Sequence, residues 1–453
     1  MTIQEQLDRA RKAFEAIQDY TQEQVDKLCY EGAKAIYKEA VPLAEMAVAE
    51  TRLGNVADKI GKNTDTPAHF WDYLKDKKSV GIINEVPELG MYEIAHPIGV
   101  VGCITPATNP TVTPLGNFMH AIKGKNAVII SPAPRAAKTS TTTVNLIREA
   151  LEKCGAPADL IQIIPEDLIS IEASAELMEK ADLVIATGSS GLTKAAYSSG
   201  TPAYGVGAGN PPVILDRGYD LKSAAEDTVI AVGSDNGILC DGDNLLVYPE
   251  ELEAEWKAAL KDAGVVVFDD PEDVDKFRKV LFLENGKSNP ALVGADADVI
   301  AEAAGFKLPE GTKIFALCTP DVGGDDVLHH EIMGPVVILA PYSTFEDAVD
   351  KAIKNMVDGG GIGHSAGIFS NDEEHIKYAA ERIPVSRLLI NQPSPNAWGP
   401  HENALSPAVS EGCGSWGNNI LAGNVDYIHM VNVSKAVKLL DVEPLDYEAM
   451  FAD

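Results

Sequence analysis

Short apolar runs alternate with amphipathic helical segments through most of this chain, and that alternation restricts its fold more than any other feature. The segments between the runs, such as 141–155 and 249–264, repeat apolar residues at helical spacing. The runs themselves are AVII 127–130, LVIA 183–186, PVIL 212–215, LLVY 245–248, VVVF 265–268, VVIL 336–339 and RLLI 387–390. Runs of this length are typical of buried strands, and strands that alternate with helices predict an α/β fold with mainly parallel sheets.

The first forty residues predict helices rather than strands. TIQE at 2–5 and TQEQ at 21–24 match the capping box, in which a Thr hydroxyl and an acid or amide three residues later satisfy free backbone amides. A chain of 453 residues is long enough for two or three domains. Turn residues in AVGSDNG, 231–237, interrupt the pattern, so we expect a domain join near residue 232.

Charge and hydropathy exclude several kinds of partner. The chain has 68 acidic and 37 basic residues, a formal net charge of −31, whereas nucleic-acid binding depends on cations that neutralise phosphates. We therefore expect no nucleic-acid partner. No run reaches the roughly 18 apolar residues of a membrane span, and the charged, helical first 20 residues do not resemble a signal peptide.

The cysteines are few and widely spaced, which predicts a reduced, cytoplasmic protein without a metal site. They are Cys29, Cys103, Cys154, Cys240, Cys318 and Cys413. Cys240 differs from the others because it lies between small glycine-containing turns in SDNGILCDGDN, 234–244. The residues alone leave open whether Cys240 is a nucleophile or one more buried thiol.

Two long segments of this acidic chain, 94–148 and 183–215, contain no Asp or Glu. Each has a Gly- or Pro-rich turn directly after a strand, where backbone amides at a helix N-terminus can bind a phosphate. The segments indicate a site for an anionic ligand, although buried strands that exclude acids explain the same pattern. The turn TGSSG, 187–191, matches neither of the common phosphate-binding motifs.

Several distinctive motifs follow one another along nearly the whole chain. They are IATGSSGLTKAAYSSGTPAYGVGAGNPPVILD, SDNGILC, GHSAGIFS, RLLINQP and GCGSWGNN, followed by DYIHMVNVSKA near the end. In this order they resemble the motifs of the CoA-acylating aldehyde dehydrogenases. Within this family the chain is most similar to stand-alone CoA-dependent succinate-semialdehyde dehydrogenases. It is also similar to acylating sulfoacetaldehyde dehydrogenases and to the aldehyde-oxidising half of aldehyde–alcohol dehydrogenases.

The resemblance implies an aldehyde dehydrogenase-like α/β fold in three parts. Residues 1–232 would form a Rossmann-type NAD(P)-binding domain and residues 233–420 an α/β catalytic domain. Residues 421–453 would supply an oligomerisation strand and a tail, and strands near 88–98 and 424–436 would form a small β oligomerisation element. A homodimer or a dimer of dimers is expected.

The resemblance also implies the catalytic residues. Cys240 aligns with the nucleophile that attacks the aldehyde and carries the acyl group as a thioester. Asn109, in TPATNP, aligns with the amide that holds the oxyanion together with the Cys240 backbone N–H. His364, in GIGHSAG, would orient or deprotonate a thiol. Gly205 stands where hydrolytic relatives have a general-base glutamate, so CoA rather than water is the expected acceptor.

A cofactor site for NAD or NADP follows from the same resemblance. Glu331, in HEIMGP, aligns with the glutamate that contacts the nicotinamide ribose, and Arg135, in SPAPR, would lie where a 2′-phosphate could bind. The choice between NAD and NADP stays open. The expected cofactor-binding residues are Thr105, Pro106, Ser131, Pro132, Arg135, Thr187, Gly188, Gly191, Gly207 and Glu331.

Two departures from the family pattern bear on the substrate. Asp241 introduces a carboxylate directly after the nucleophile, and Asn418 stands where succinate-semialdehyde enzymes have an Arg. We expect reversible oxidation of an aldehyde with CoA and NAD(P)⁺, acting on succinate semialdehyde or another short-chain aldehyde. The alternatives are an acylating sulfoacetaldehyde dehydrogenase and a hydrolytic aldehyde dehydrogenase.

Overall fold

A computed structural model describes residues 2–452. Its helices are α1 Ile3–Ala16, α2 Gln22–Lys38, α3 Ala40–Thr51, α4 Val56–Leu74, α5 Val112–Lys123, α6 Ala137–Lys153, α7 Ile171–Lys180, α8 Ser190–Ser198, α9 Leu221–Gly233, α10 Glu253–Asp262, α11 Pro271–Leu281, α12 Ala297–Ala303, α13 Phe345–Gly359, α14 Glu373–Arg382 and α15 Tyr447–Met450. Both predicted capping boxes are present, at Thr2 and Thr21. The sequence therefore located the starts of the first two helices.

The strands include all seven that the apolar runs predicted. They are β1 Gly81–Val86, β2 Met91–Pro97, β3 Val100–Thr105, β4 Ala127–Pro132, β5 Ile161–Ile163, β6 Leu183–Thr187, β7 Ala203–Val206, β8 Pro212–Leu215, β9 Leu245–Pro249, β10 Val266–Phe268, β11 Phe315–Cys318, β12 Val336–Tyr342, β13 Gly363–Phe369, β14 Val385–Ile390, β15 Glu411–Cys413, β16 Ala422–Asn424 and β17 Val431–Val437. The predicted α/β fold class is confirmed, since both large sheets are parallel and alternate with helices.

Five parallel strands form the first sheet, in the order β5-β4-β3-β6-β7. Helices cover it, with α1 and α5 packed against β4, so every residue of β3 and β4 is buried. The chain runs outward from β3 to β5 and then starts again at β6 on the other side of β3. The strands β3 and β6 therefore flank a topological switch point, where open α/β sheets bind ligands at the carboxyl ends of their strands.

Seven parallel strands form the second sheet, in the order β10-β11-β12-β9-β8-β13-β14. Its two faces bury separate clusters of side chains. Along β12, Ile338 and Ala340 belong to the cluster on one face, whereas Val337 and Leu339 belong to the cluster on the other. Because successive side chains on a strand point to opposite faces, a strand buried on both sides is apolar at every position.

The change from the first sheet to the second occurs earlier than the turn near residue 232 suggested. Strand β8 and helix α9 already pack with the second sheet, so the connection between the sheets is residues 207–211. The turn residues of 231–237 end α9 and begin the segment that leads to Cys240 instead. After β14 the chain returns to the first core, where Val425 and Met430 are buried.

A small antiparallel sheet, in the order β1-β2-β17, contains strands from the two segments that were expected to form an oligomerisation element. β17 pairs with β2 from Val431 opposite Pro97 to Val437 opposite Met91. Six of the seven residues of β17 are exposed. The two segments thus lie in one small sheet, and their role in oligomerisation stays a prediction.

No disulfide occurs among the six cysteines, which are all free. Across residues 2–452, no helix combines the length and the apolar character that a membrane crossing would require.

Candidate active site

The switch point of the first sheet opens into a cavity of about 610 Å³. Pro106 follows β3, Thr187 ends β6 and Gly188 follows it, while Cys240 enters from the second sheet's side. The segment that links the two sheets adds Gly207 and Ala208. The cavity thus lies between the two units, where a ligand bound at the first sheet can meet a group from the second.

The cavity brings together about half of the predicted site residues. Those that line it with Cys240 are Pro106, Asn109, Thr187, Gly188, Gly207 and Glu331. The other predicted residues do not line it; they are Thr105, Ser131, Pro132, Arg135, Gly191 and His364.

Cys240 is held in place by a close backbone contact with the connection between the sheets. A Cβ added at Gly209 would lie 1.7 Å from the Cys240 carbonyl oxygen, so any side chain there would push the turn away. The thiol is partly exposed and borders the cavity. This placement allows a reactant in the cavity to reach the sulfur.

The surroundings of Cys240 favour the thiol over the thiolate. Burial, followed by the carboxylates of Glu411, Asp241 and Glu331, raises the pKa of Cys240 well above its ordinary value. A thiol in this state needs a proton acceptor before it becomes a good nucleophile. The nearby carboxylates therefore matter as proton acceptors as well as charges.

Asn109 lines the cavity and is hydrogen-bonded through its side-chain oxygen. Its Oδ1 accepts a hydrogen bond from Lys62 Nζ at 2.8 Å. Because an ammonium has no acceptor, the amide oxygen must face it and the amide nitrogen must point away. Within residues 2–452, no group accepts a hydrogen bond from Asn109 Nδ2, so this donor is available for an oxygen in the cavity.

His364 lies behind the cavity wall. It is fully buried at the start of β13, its Cγ is 3.3 Å from the Cβ position of Gly209, and its Nδ1 is 2.7 Å from Ser365 Oγ. Burial, with a smaller contribution from Arg387, holds the pKa of His364 well below its usual value. The imidazole is therefore neutral near pH 7.

Two buried carboxyl groups, Asp241 and Glu411, line the cavity beside Cys240. Burial and then the charge of Glu411 raise the pKa of Asp241 well above its ordinary value, and burial also raises the pKa of Glu411 despite Arg387. Arg387 lies behind them, with its Nε 3.6 Å from Glu411 Oε2. The pair binds protons more tightly than isolated carboxyl groups, so it carries less negative charge beside the sulfur than two free carboxylates would.

Gly191, in the first turn of α8 after β6, is exposed. A Cβ added at Gly191, in the first turn of α8, would have only Ser189 Oγ within 4 Å, at 3.9 Å, so the backbone is open to a ligand on that side. Across the cavity, burial raises the pKa of Glu331 to about 7.

Ser131 and Arg135, which were expected near the adenine ribose, already have partners. Ser131 Oγ is 2.8 Å from Ser174 Oγ, and Arg135 donates a hydrogen bond to the Thr51 carbonyl. The carboxylate of Glu50 accepts hydrogen bonds from the backbone amides of Lys138 and Thr139 and from the Thr139 hydroxyl. The first turn of α6 is thus occupied by a fixed negative charge.

Gly205 has no room for the side chain that hydrolytic relatives have there. A Cβ at this position would lie 2.7 Å from Thr193 Cγ2 and 3.0 Å from Tyr197 Cε2. Its side-chain direction therefore points at α8 rather than into the cavity. The carboxylates nearest Cys240 come from other segments of the chain.

Several residues of the cavity were not predicted as site residues. Lys62 and Asp235 line it and are hydrogen-bonded to each other, and Glu411 lines it from β15. The sequence analysis singled out neither Lys59 nor Lys62, whose spacing of three residues places them on one face of α4. Nothing in the sequence indicates that Glu411 reaches Cys240. Asn418 is exposed and does not line the cavity.

Known proteins resemble the chain along most of its length. The model of the aldehyde dehydrogenase family matches residues 1–277 and 312–401. The acetylating succinate-semialdehyde dehydrogenase of Clostridium kluyveri is 45% identical over 435 residues, which are 96% of this chain and 95% of that protein.

Two solved structures share the fold. An acetylating aldehyde dehydrogenase from Geobacillus thermoglucosidasius superposes with a TM-score of 0.93 at 34% identity over 98% of each chain. A propionaldehyde dehydrogenase from Rhodopseudomonas palustris, solved with bound CoA and an acylated cysteine, superposes with a TM-score of 0.86 at 25% identity. The match covers 96% of this chain and 97% of that one.

Proposed function

Because the chain belongs to the aldehyde dehydrogenase family, we propose that Cys240 and Asn109 form the centre of a CoA-acylating active site. The protein is an NAD(P)-dependent oxidoreductase that converts an aldehyde, CoA and NAD(P)⁺ to an acyl-CoA and NAD(P)H, reversibly. The observation that supports these roles is that a reachable thiol and an amide nitrogen, which has no hydrogen-bond partner among residues 2–452, lie around one cavity.

The residues divide the reaction into two steps on the same sulfur. The Cys240 thiol loses its proton and adds to the aldehyde carbon, and Asn109 Nδ2 donates a hydrogen bond to the oxygen that becomes negative. Bound NAD(P)⁺ supplies the hydride acceptor, and the acyl group remains on Cys240 as a thioester. The CoA sulfur then attacks the thioester carbon, and the Cys240 thiolate leaves and regains a proton.

Coenzyme A fits the acceptor role better than water. Gly205 leaves the usual position of the water-activating glutamate without a side chain, and the neighbouring α8 fills the space where one would begin. Without a base that activates water, the thioester intermediate is not hydrolysed and persists until another thiol attacks it. The hydrolytic alternative gains no support from this position.

The aldehyde is short-chain. Succinate semialdehyde is the first candidate because the relative at 45% identity is named as a succinate-semialdehyde dehydrogenase. Sulfoacetaldehyde is the second candidate, and no residue of the cavity favours a sulfonate over a carboxylate. Asp241 works against both anions, since its carboxyl group lines the cavity directly after Cys240. Its raised pKa weakens this effect near neutral pH because the protonated form has no charge.

NAD is the preferred cofactor in this proposal. A 2′-phosphate at the adenine end would meet the Glu50 carboxylate at the first turn of α6, and Arg135 is engaged with the Thr51 carbonyl. The ribose hydroxyls of NAD carry no charge and avoid this repulsion. The same site would need a rearrangement of Glu50 or Arg135 to favour NADP.

A cytoplasmic location and a homodimer or dimer of dimers complete the proposal. The six free thiols suit a reducing compartment. The exposed strand β17, at the edge of the small sheet, offers unpaired backbone groups to a second copy of the chain. Light scattering coupled to size-exclusion chromatography measures the assembly directly.

The test of the reaction withholds CoA. We expect one NAD(P)H per Cys240 in a rapid burst, followed by near silence, with the acyl group found by mass spectrometry on the peptide that contains Cys240. Added CoA should release it as acyl-CoA. Continued production of free carboxylic acid without CoA would contradict the choice of acceptor.

A further inference from the structure

Two lysines of α4 converge on one buried carboxylate next to the proposed oxyanion site. Lys59 Nζ and Lys62 Nζ lie 2.8 Å and 2.6 Å from Asp235 Oδ2. Residues three apart lie on one face of a helix, so both side chains point the same way. Asp235 is fully buried and stands in the segment that leads to Cys240. The cluster therefore connects α4 of the first unit to the nucleophile's own turn.

Asp235 is ionised and fixed in position. Burial works to raise the pKa of Asp235, but the charges of Lys62 and Lys59 outweigh burial, and the pKa lies below its ordinary value. Its other oxygen, Oδ1, accepts a hydrogen bond from the Asn55 backbone amide at 3.1 Å. A carboxylate with three donors at two oxygens cannot rotate freely, so it holds the Lys62 ammonium at a constant place.

From that place Lys62 makes a second contact, its 2.8 Å hydrogen bond to Asn109 Oδ1. An Asn side chain can otherwise turn its amide over, which exchanges the donor and the acceptor. The ammonium removes that freedom because only the oxygen can face it. It also draws electron density from the amide, which strengthens the opposite N–H as a donor.

We propose that Lys62 is a positioning residue that fixes the Asn109 amide so that its Nδ2 faces the oxyanion, with Asp235 as the anchor of the Lys62 ammonium. This inference rests on the proposed function of the cavity. In this role Lys62 orients the Asn109 amide, which is distinct from binding the substrate and from stabilising the fold. In the transition state, a prealigned donor costs no reorganisation when the negative charge develops.

Lys59 provides a matched comparison in the same cluster. It contacts the same carboxylate, but its second hydrogen bond goes to the Thr108 carbonyl at 3.0 Å instead of to Asn109. Burial and then the charge of Lys62 lower the pKa of Lys59 to about 8. Loss of Lys59 therefore disturbs the buried ion pair and leaves the Lys62–Asn109 hydrogen bond in place.

The experiment is a double-mutant cycle between Lys62→Met and Asn109→Ala, measured with CoA, NAD⁺ and two short-chain aldehydes, one neutral and one anionic. Asn109→Ala should lower kcat by roughly 10²–10³, and Lys62→Met by about 10–100-fold, with little change in the KM for either cosubstrate. The double variant should be no slower than Asn109→Ala, because Lys62 acts through an amide that is then absent. Lys59→Met should lower the melting temperature but change kcat less than Lys62→Met does.

Each outcome decides between roles. If the fold-reductions in kcat of the two single variants multiply in the double variant, the proposal is overturned. An unchanged kcat in Lys62→Met also overturns it. A rise in KM confined to anionic aldehydes overturns it too and makes Lys62 a substrate-binding residue. If Lys62→Met does not fold, Lys62→Gln replaces it in the cycle, since it can keep the hydrogen bond without the charge; we expect a smaller loss that again vanishes beside Asn109→Ala. Wild-type protein without CoA-dependent turnover would instead refute the proposed function itself.

Discussion

Asp243, three residues after Cys240, offers a quantitative test of the effect of a buried carboxyl group on stability. The side chain is 3% exposed, and within residues 2–452 neither carboxylate oxygen has a hydrogen bond of normal geometry. Burial raises its pKa from 3.8 to about 7, against a smaller opposing effect of Ser394. Replacement by Asn keeps the size and removes the charge that burial penalises.

The magnitude follows from proton linkage. The folded-state pKa lies above the unfolded value, so between about pH 4 and 7 the unfolded chain releases a proton that the folded chain keeps. The free energy of unfolding therefore falls as pH rises through this interval. The folded and unfolded pKa values of Asp243 differ by about three units, which corresponds to at most about 4 kcal/mol of lost stability at high pH. Replacement by Asn removes this loss, but burial of an amide without hydrogen-bond partners costs about 1–3 kcal/mol. Asp243→Asn should thus be more stable than wild type at pH 8, by about 1–3 kcal/mol.

Urea unfolding of both proteins at pH 5 and pH 8 measures the effect. We expect nearly equal midpoints at pH 5 and a higher midpoint for Asp243→Asn at pH 8. The matched control is Asp262→Asn, an exposed aspartate at the end of α10 for which no such difference is expected. A variant that is less stable than wild type at pH 8, or that keeps the wild-type dependence on pH, would refute the charge-burial reasoning.

Three further predictions concern activity. Cys240→Ala should abolish aldehyde oxidation while NAD(P) binding is retained, and turnover within tenfold of wild type would reject Cys240 as the nucleophile. Asp241→Ser should raise kcat/KM for succinate semialdehyde relative to butanal, most strongly above neutral pH; an unchanged ratio would show that Asp241 does not face the substrate. Wild type should prefer NAD⁺ to NADP⁺, and Glu50→Gln should reduce this preference, as steady-state kinetics with each cofactor will report.

Local sequence patterns were sufficient for most of the fold. Capping boxes at Thr2 and Thr21 and the seven apolar runs act over a few residues, so they can be recognised without knowledge of the rest of the chain. The domain join was harder, because turn residues at 231–237 mark a change of direction and carry no information about which sheet a strand joins. Strand β8 belongs to the second sheet through pairing with β9 and β13, which are distant in sequence.

The sequence by itself determined the family of this protein and identified Cys240, Asn109 and the absence of a side chain at Gly205 as the features to examine. Only the tertiary structure decided what surrounds them: it brought Glu411 to the sulfur and Lys62 to the Asn109 amide. The physical reason is that electrostatic and hydrogen-bond contacts act over a few ångströms of space. Lys62 and Asn109, for example, are 47 residues apart in the chain. Helical and strand periodicities relate only residues a few positions apart, so they do not predict this contact.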